Sequence, residues 1–102
     1  MELVLKAQCI SDLLQTCFCK QDYADAEKLV EALLRIVKPM KSIDSYMIEL
    51  LEEASISCKK AYELYDVVEE VKPDGEESPY YEARTNALLK MSCFIDNLYE
   101  ST

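Results

Sequence analysis

Residues 44–71 read DSYMIELLEEASISCKKAYELYDVVEEV, and this stretch decides the fold. Its apolar side chains recur at alternating spacings of four and three residues, which places them on one face of an α-helix. The stripe consists of Met47, Leu51, Ala54, Cys58, Ala61, Tyr65 and Val68. Ser42 or Asp44 can cap the helix, and no helix breaker precedes Val71. The pattern predicts the longest element of the chain, with about 29 residues and a length of roughly 43 Å.

The sequence before this helix predicts a helical hairpin. Residues 2 to about 19 carry a first apolar stripe, and the polar run Lys20-Gln21-Asp22 ends it. Asp22 is a suitable N-cap for a second helix. The two stripes are Leu3, Ala7, Ile10, Leu14 and Cys17, then Tyr23, Ala26, Val30, Leu33 and Val37. Because the connection is short, we expect the two helices to pack antiparallel.

Residues 72–79, which contain two prolines and the single glycine of the chain, separate the long helix from the last one. Ser78 is placed to cap this fourth helix and Pro79 to occupy its first position, and the helix should reach about Tyr99. Its stripe is Tyr80, Ala87, Met91, Phe94 and Leu98. The sequence therefore predicts an all-α four-helix bundle with a long third helix, built as a single domain over residues 1–102.

Composition limits the chemistry available to this domain. The chain has 102 residues, of which one is glycine, three are proline and none is histidine. Without an imidazole or a glycine-rich phosphate loop, we expect no catalytic activity, no metal site and no cofactor. Glu49, Glu52 and Glu53 lie off the apolar stripe of the third helix, so we interpret them as a solvated face.

Five cysteines indicate the compartment. Their number is odd, and Cys17 and Cys19 are separated by one residue instead of the two typical of zinc and redox motifs. Cys9, Cys17 and Cys58 fall in apolar stripes and should pack in the core, whereas Cys19 and Cys93 lie outside them. The chain begins without a basic and apolar leader, and no apolar stretch approaches 20 residues. These features predict a soluble cytoplasmic protein with no membrane association and no export signal.

One stretch resembles a known repeat. Residues 22–26, with Leu33 following, are similar to the second helix of a tetratricopeptide repeat, and Leu13 falls at a matching place in the helix before it. The likeness covers one hairpin, and Ile10 and Leu14 stand where the repeat has tryptophan and glycine. The resemblance implies a single adaptor hairpin.

Charge is distributed unevenly along the chain. Residues 1–41 carry six acidic and six basic residues, whereas residues 42–102 carry fourteen acidic and five basic residues and hold the whole net charge of -9. Within residues 63–82, eight acidic residues accompany one lysine, a net charge of -7. Asp66, Glu69 and Glu70 come near the end of the third helix, where the helix dipole disfavours negative charge. Either solubility or docking of a basic protein explains them.

We name this candidate protein-binding region the acidic elbow. It comprises the carboxylates Glu63, Asp66, Glu69, Glu70, Asp74, Glu76 and Glu77 and the aromatic residues Tyr62, Tyr65, Tyr80 and Tyr81. Tyrosines beside carboxylates recur at protein interfaces, and tyrosines packed at helix ends produce the same pattern.

The sequence favours a small acidic interaction or regulatory protein whose partner is another protein with a basic surface. The negative charge disfavours direct binding of nucleic acid. A homodimer is expected because the long third helix should extend beyond the first two and leave part of its apolar face uncovered. The alternatives are a phage or bacterial nucleic-acid mimic that inhibits a DNA- or RNA-binding protein, the tetratricopeptide-like adaptor, and a small enzyme or metal protein that uses cysteine and glutamate.

Overall fold

A computed structural model describes residues 2–16, 19–67 and 79–100 of the chain. Its helices are α1 (Glu2–Gln15), α2 (Lys20–Val37), α3 (Ser45–Leu64) and α4 (Pro79–Glu100), and a 3-10 turn, Tyr65–Val67, continues α3. The described residues contain no β-strand. The predicted all-α four-helix bundle is confirmed.

The four helices pack in a ring in which each contacts the helices before and after it. α1 packs against α2 and α4, and α3 packs against the same two helices more extensively. α1 and α4 are antiparallel, because Arg84 near the start of α4 donates from Nη2 to the carbonyl oxygen of Gln15 at the end of α1, at 3.2 Å. Because the helices form a ring in chain order, the α1–α2 side of the bundle lies opposite the α3–α4 side.

The third helix forms as its stripe predicts. Asp44 is the N-cap, and its Oδ1 accepts a hydrogen bond from the backbone nitrogen of Met47 at 3.0 Å. The predicted stripe positions within α3 are all buried: Met47, Leu51, Ala54, Cys58 and Ala61. α3 has 20 residues before its 3-10 continuation, and α4 has 22. The predicted end near Val71 lies outside the described residues.

The packing of α3 removes the reason for which the sequence predicts a dimer, namely an uncovered apolar face on the third helix. α4 matches α3 in length, and α2 and α4 cover the apolar stripe of α3 along its described helix. Within that range, α3 does not present the uncovered face that the sequence suggested.

Three local predictions on α1 and α2 are wrong. Asp22 does not cap α2, because Cys19 is the N-cap and Asp22 occupies the third helical position, where its Oδ2 accepts from the Cys19 nitrogen at 3.4 Å. α1 ends at Gln15 instead of near residue 19, and the Thr16 hydroxyl donates to the carbonyl oxygen of Asp12. Cys9 is exposed instead of buried, because it lies at the edge of its stripe. Cys17 and Ser78 lie outside the described residues.

The core is continuous across all four helices. The second and fourth stripes are buried as predicted, with Tyr23 and Phe94 the largest fully enclosed side chains. Tyr23, Ala26 and Leu33, which carry the tetratricopeptide likeness, all contribute to this core. None of the described helices has a segment long and apolar enough to cross a lipid bilayer.

Candidate functional site

The acidic elbow begins at an end of the bundle that is closed by tyrosines. Tyr65 and Tyr80 pack with Tyr23 of α2, with ring centroids 5.6 to 6.2 Å apart, and the hydroxyls of Tyr23 and Tyr80 are hydrogen-bonded. Tyr80 is only 9% exposed. The structure thus brings two predicted binding residues together, but they serve mainly to join α2, α3 and α4. Tyr81 stacks edge-on against Tyr80 and remains exposed.

Asp66 is held by an ion pair from the start of α2. The Lys20 ammonium lies 2.8 Å from Asp66 Oδ2 and 4.6 Å from the centroid of the Tyr62 ring. The hydrogen bond to Asp66 raises the pKa of Lys20 above its ordinary value, against a smaller opposing effect of desolvation. This pair supplies a structural reason for a carboxylate at a helix end where the dipole opposes it.

The remaining residues of the acidic elbow divide into two groups. Glu63 is exposed on α3, and Tyr62 is partly exposed beside it. The other predicted carboxylates, Glu69, Glu70, Asp74, Glu76 and Glu77, lie outside the described residues.

A cleft of about 450 Å³ lies between α3 and α4 next to the acidic elbow. We name it the α3–α4 cleft. Its lining is Ser57, Lys60, Glu63, Leu64, Pro79, Glu82, Ala83 and Asn86. Glu63 projects from α3 and Glu82 from α4, and within the described part of the chain neither carboxylate has a salt-bridge partner. Lys60 is the single cationic side chain in this lining.

A partly buried hydrogen bond forms the floor of the cleft. The Asn86 amide donates from Nδ2 to the Ser57 hydroxyl at 2.6 Å, and Ser57 is buried. One turn away, Lys90 Nζ lies 2.8 Å from Glu53 Oε2, which continues the antiparallel register of α3 against α4. The hydrogen bond to Glu53 raises the pKa of Lys90 above its ordinary value. These contacts join the two walls of the cleft.

Sequence reasoning identified one residue of this cleft, Glu63, and missed the rest. Glu82 lies in the first turn of α4, where the helix dipole favours a carboxylate, so its position in the sequence gives no separate signal of a binding site. Ser57 offered a signal, because it is a polar residue beside the apolar stripe of α3. Asn86 offered no comparable signal, since its partner lies on another helix.

Comparisons with known proteins identify no relative from which a function could be inferred. The chain matches no known protein family, no curated protein and no solved structure. Among the residues that the structure describes, no group of three or more histidine, cysteine, aspartate or glutamate residues is arranged to hold a metal ion. The site defined above is a cleft of mixed polar and apolar lining between two helices, with one carboxylate on each wall.

Proposed function

We propose that this chain is a small, non-catalytic, protein-binding protein that holds a basic segment of its partner in the α3–α4 cleft. One observation carries the proposal. Glu63 and Glu82 face the same cleft from two helices, and they bound the segment in which the net charge is -7. A partner of opposite charge is the complement of such a surface.

The cleft has the chemistry to receive an arginine or lysine side chain. Carboxylates on two walls can accept charge-assisted hydrogen bonds, which are about twice as strong as neutral ones. The floor made by Ser57 and Asn86 is already hydrogen-bonded, so an entering group does not need to satisfy it. Lys60 also lines the cleft and would repel a second cation placed next to it. This favours a partner in which the basic residues are separated by uncharged ones.

The titratable groups at this side of the bundle support binding over catalysis. The hydrogen bond to a carboxylate raises the pKa of Lys20 and of Lys90, so neither lysine has the lowered pKa of an amine nucleophile. The chain also has no histidine that could exchange a proton near neutral pH.

The placement of the acidic residues favours an adaptor over a nucleic-acid mimic. A mimic would need carboxylates spread along a face in the manner of phosphates. Here the densest acidic segment of the sequence falls between the C-terminal end of α3 and the first turn of α4. This distribution favours an interaction or regulatory role in the cytoplasm over mimicry of a nucleic acid.

The test uses a fluorescent peptide with alternating arginine and serine as the probe. We compare Glu63→Gln with Glu82→Gln, made together, against Glu49→Gln with Glu52→Gln, which removes the same charge from exposed positions of α3 outside the cleft. Anisotropy should show a Kd raised about tenfold for the cleft pair and less than about twofold for the control pair. Equal weakening by both pairs, or no binding by the wild type, would overturn the proposal.

A further inference from the structure

The opposite side of the bundle carries an apolar groove between α1 and α2, which we name the α1–α2 groove. Its volume is about 260 Å³, and its lining is Lys6, Cys9, Ile10, Leu29, Ala32, Leu33 and Ile36. Leu29 is 46% exposed and Ile36 is 40% exposed. These side chains are large enough that their exposure costs hydrophobic free energy which a docked surface would recover.

The sequence of α2 explains why this groove is apolar. Leu29, Ala32 and Ile36 follow helical spacing, so they form a second apolar row beside the buried stripe of α2. α1 packs against α2 less extensively than the other neighbouring helices pack against each other, and it leaves this row uncovered. On α1, Cys9 and the alkyl part of Lys6 complete the surface.

Charge decides which molecule can cover the groove. α1 and α2 together carry six acidic and four basic residues, but the lining of the groove contains Lys6 as its charged residue and no carboxylate. Two copies of a strongly acidic protein repel each other wherever their acidic surfaces meet. Because Glu63 and Glu82 line the α3–α4 cleft and no carboxylate lines the α1–α2 groove, a second copy can approach the groove with less repulsion than the cleft.

We propose that a second copy of this chain docks on the α1–α2 groove and forms a symmetric dimer. α1 and α2 span about 21 and 27 Å, so the shared face comprises on the order of 500 Å² from each copy and about 1,000 Å² in all. That area is at the lower limit for a specific interface, so the dimer should dissociate in the micromolar range. The α3–α4 clefts of the two copies then point away from each other.

Sedimentation equilibrium across the micromolar range tests the proposal on the full chain. Leu29→Glu with Ile36→Glu should raise the dimer Kd at least about tenfold, because it buries charge at the interface. The matched control is Ile56→Glu with Leu89→Glu, which adds the same charge at similarly exposed positions of α3 and α4. It should raise the dimer Kd far less, and circular dichroism checks that each variant is folded.

Three results would overturn the dimer. They are a monomeric wild type at every concentration, a dimer that survives the Leu29 and Ile36 substitutions, and an equal loss in the control pair. A second variant, Leu29→Gln with Ile36→Gln, adds no charge and should also weaken the dimer if the first pair does not fold. A dimer unchanged in that variant would likewise overturn the proposal.

The dependence on salt concentration distinguishes dimerisation from the proposed binding of a basic peptide. Added salt screens repulsion between two negatively charged copies, so it should leave the dimer unchanged or tighten it. The same salt should weaken binding of the basic peptide to the α3–α4 cleft. Dimerisation that weakens steeply with salt would contradict docking through an apolar groove, independently of the result for the peptide.

Discussion

The two sides of this bundle are built from similar helices and present different surfaces. Between α1 and α2, the side chains beside the buried stripes are apolar, and the groove exposes Leu29 and Ile36. Between α3 and α4, the corresponding space contains the hydrogen bond from Asn86 to Ser57 and the rim carboxylates Glu63 and Glu82. The difference shows that the stripe determines where a helix packs, whereas the residues flanking the stripe determine what the groove can bind.

The largest expected effect compares one leucine from each side. Leu51 lies on α3, which packs extensively against both neighbours, and Leu33 lines the α1–α2 groove, although both are almost completely buried. Leu51→Ala should lower the free energy of unfolding by about 4 kcal/mol, and Leu33→Ala by about 2.5 kcal/mol, since the groove wall can relax into the space. Urea denaturation measures both values. Equal losses would show that the two sides are packed alike.

The polar floor of the α3–α4 cleft gives a smaller effect. Asn86→Ala removes the partner of a buried Ser57 hydroxyl and should lower the free energy of unfolding by about 1 kcal/mol. Adding Ser57→Ala should recover part of that loss, because the hydroxyl is then gone as well. Urea denaturation of the two single variants and the double variant forms a double-mutant cycle. Strict additivity would mean that the Asn86 amide and the Ser57 hydroxyl do not act as a pair.

The smallest expected effect concerns the two ion pairs. Lys90, paired with Glu53, is less exposed than Lys20, paired with Asp66. Lys90→Gln should therefore lower the melting temperature slightly more than Lys20→Gln at neutral pH. A larger loss of melting temperature for Lys20→Gln would mean that the ion pair between α2 and the end of α3 stabilises the fold more than the ion pair between α3 and α4.

The pH dependence of these pairs has a defined sign. Each lysine has a pKa that is raised in the folded state by its carboxylate partner. The contribution to stability is thus complete below about pH 10.4, the ordinary lysine pKa, and disappears as the pH rises through the raised value. Thermal melts above about pH 10 should show the difference between wild type and each Gln variant shrinking. A difference that persists there would have another cause than the ion pair.

Much of the fold was predictable because helical periodicity is local. The stripes of α2, α3 and α4, the Asp44 cap and Pro79 at the first position of α4 follow from spacings of three and four residues and from capping chemistry. The N-cap of α2 shows the limit of this reasoning, because the sequence predicts Asp22 and the structure has Cys19. A carboxylate is favourable both at the N-cap and at the third helical position, so the sequence does not distinguish the two.

The candidate site was less predictable because its partners are distant in the chain. Sequence alone determined the four helices, their buried faces and the concentration of negative charge in residues 63–82. Tertiary structure decided that Lys20 meets Asp66 across 46 positions, that Tyr23 meets Tyr80 across 57, and that Glu63 and Glu82 share a cleft. The physical reason is that the intrinsic period of a helix places residues on a face, whereas only the packing of one helix against another determines which faces meet.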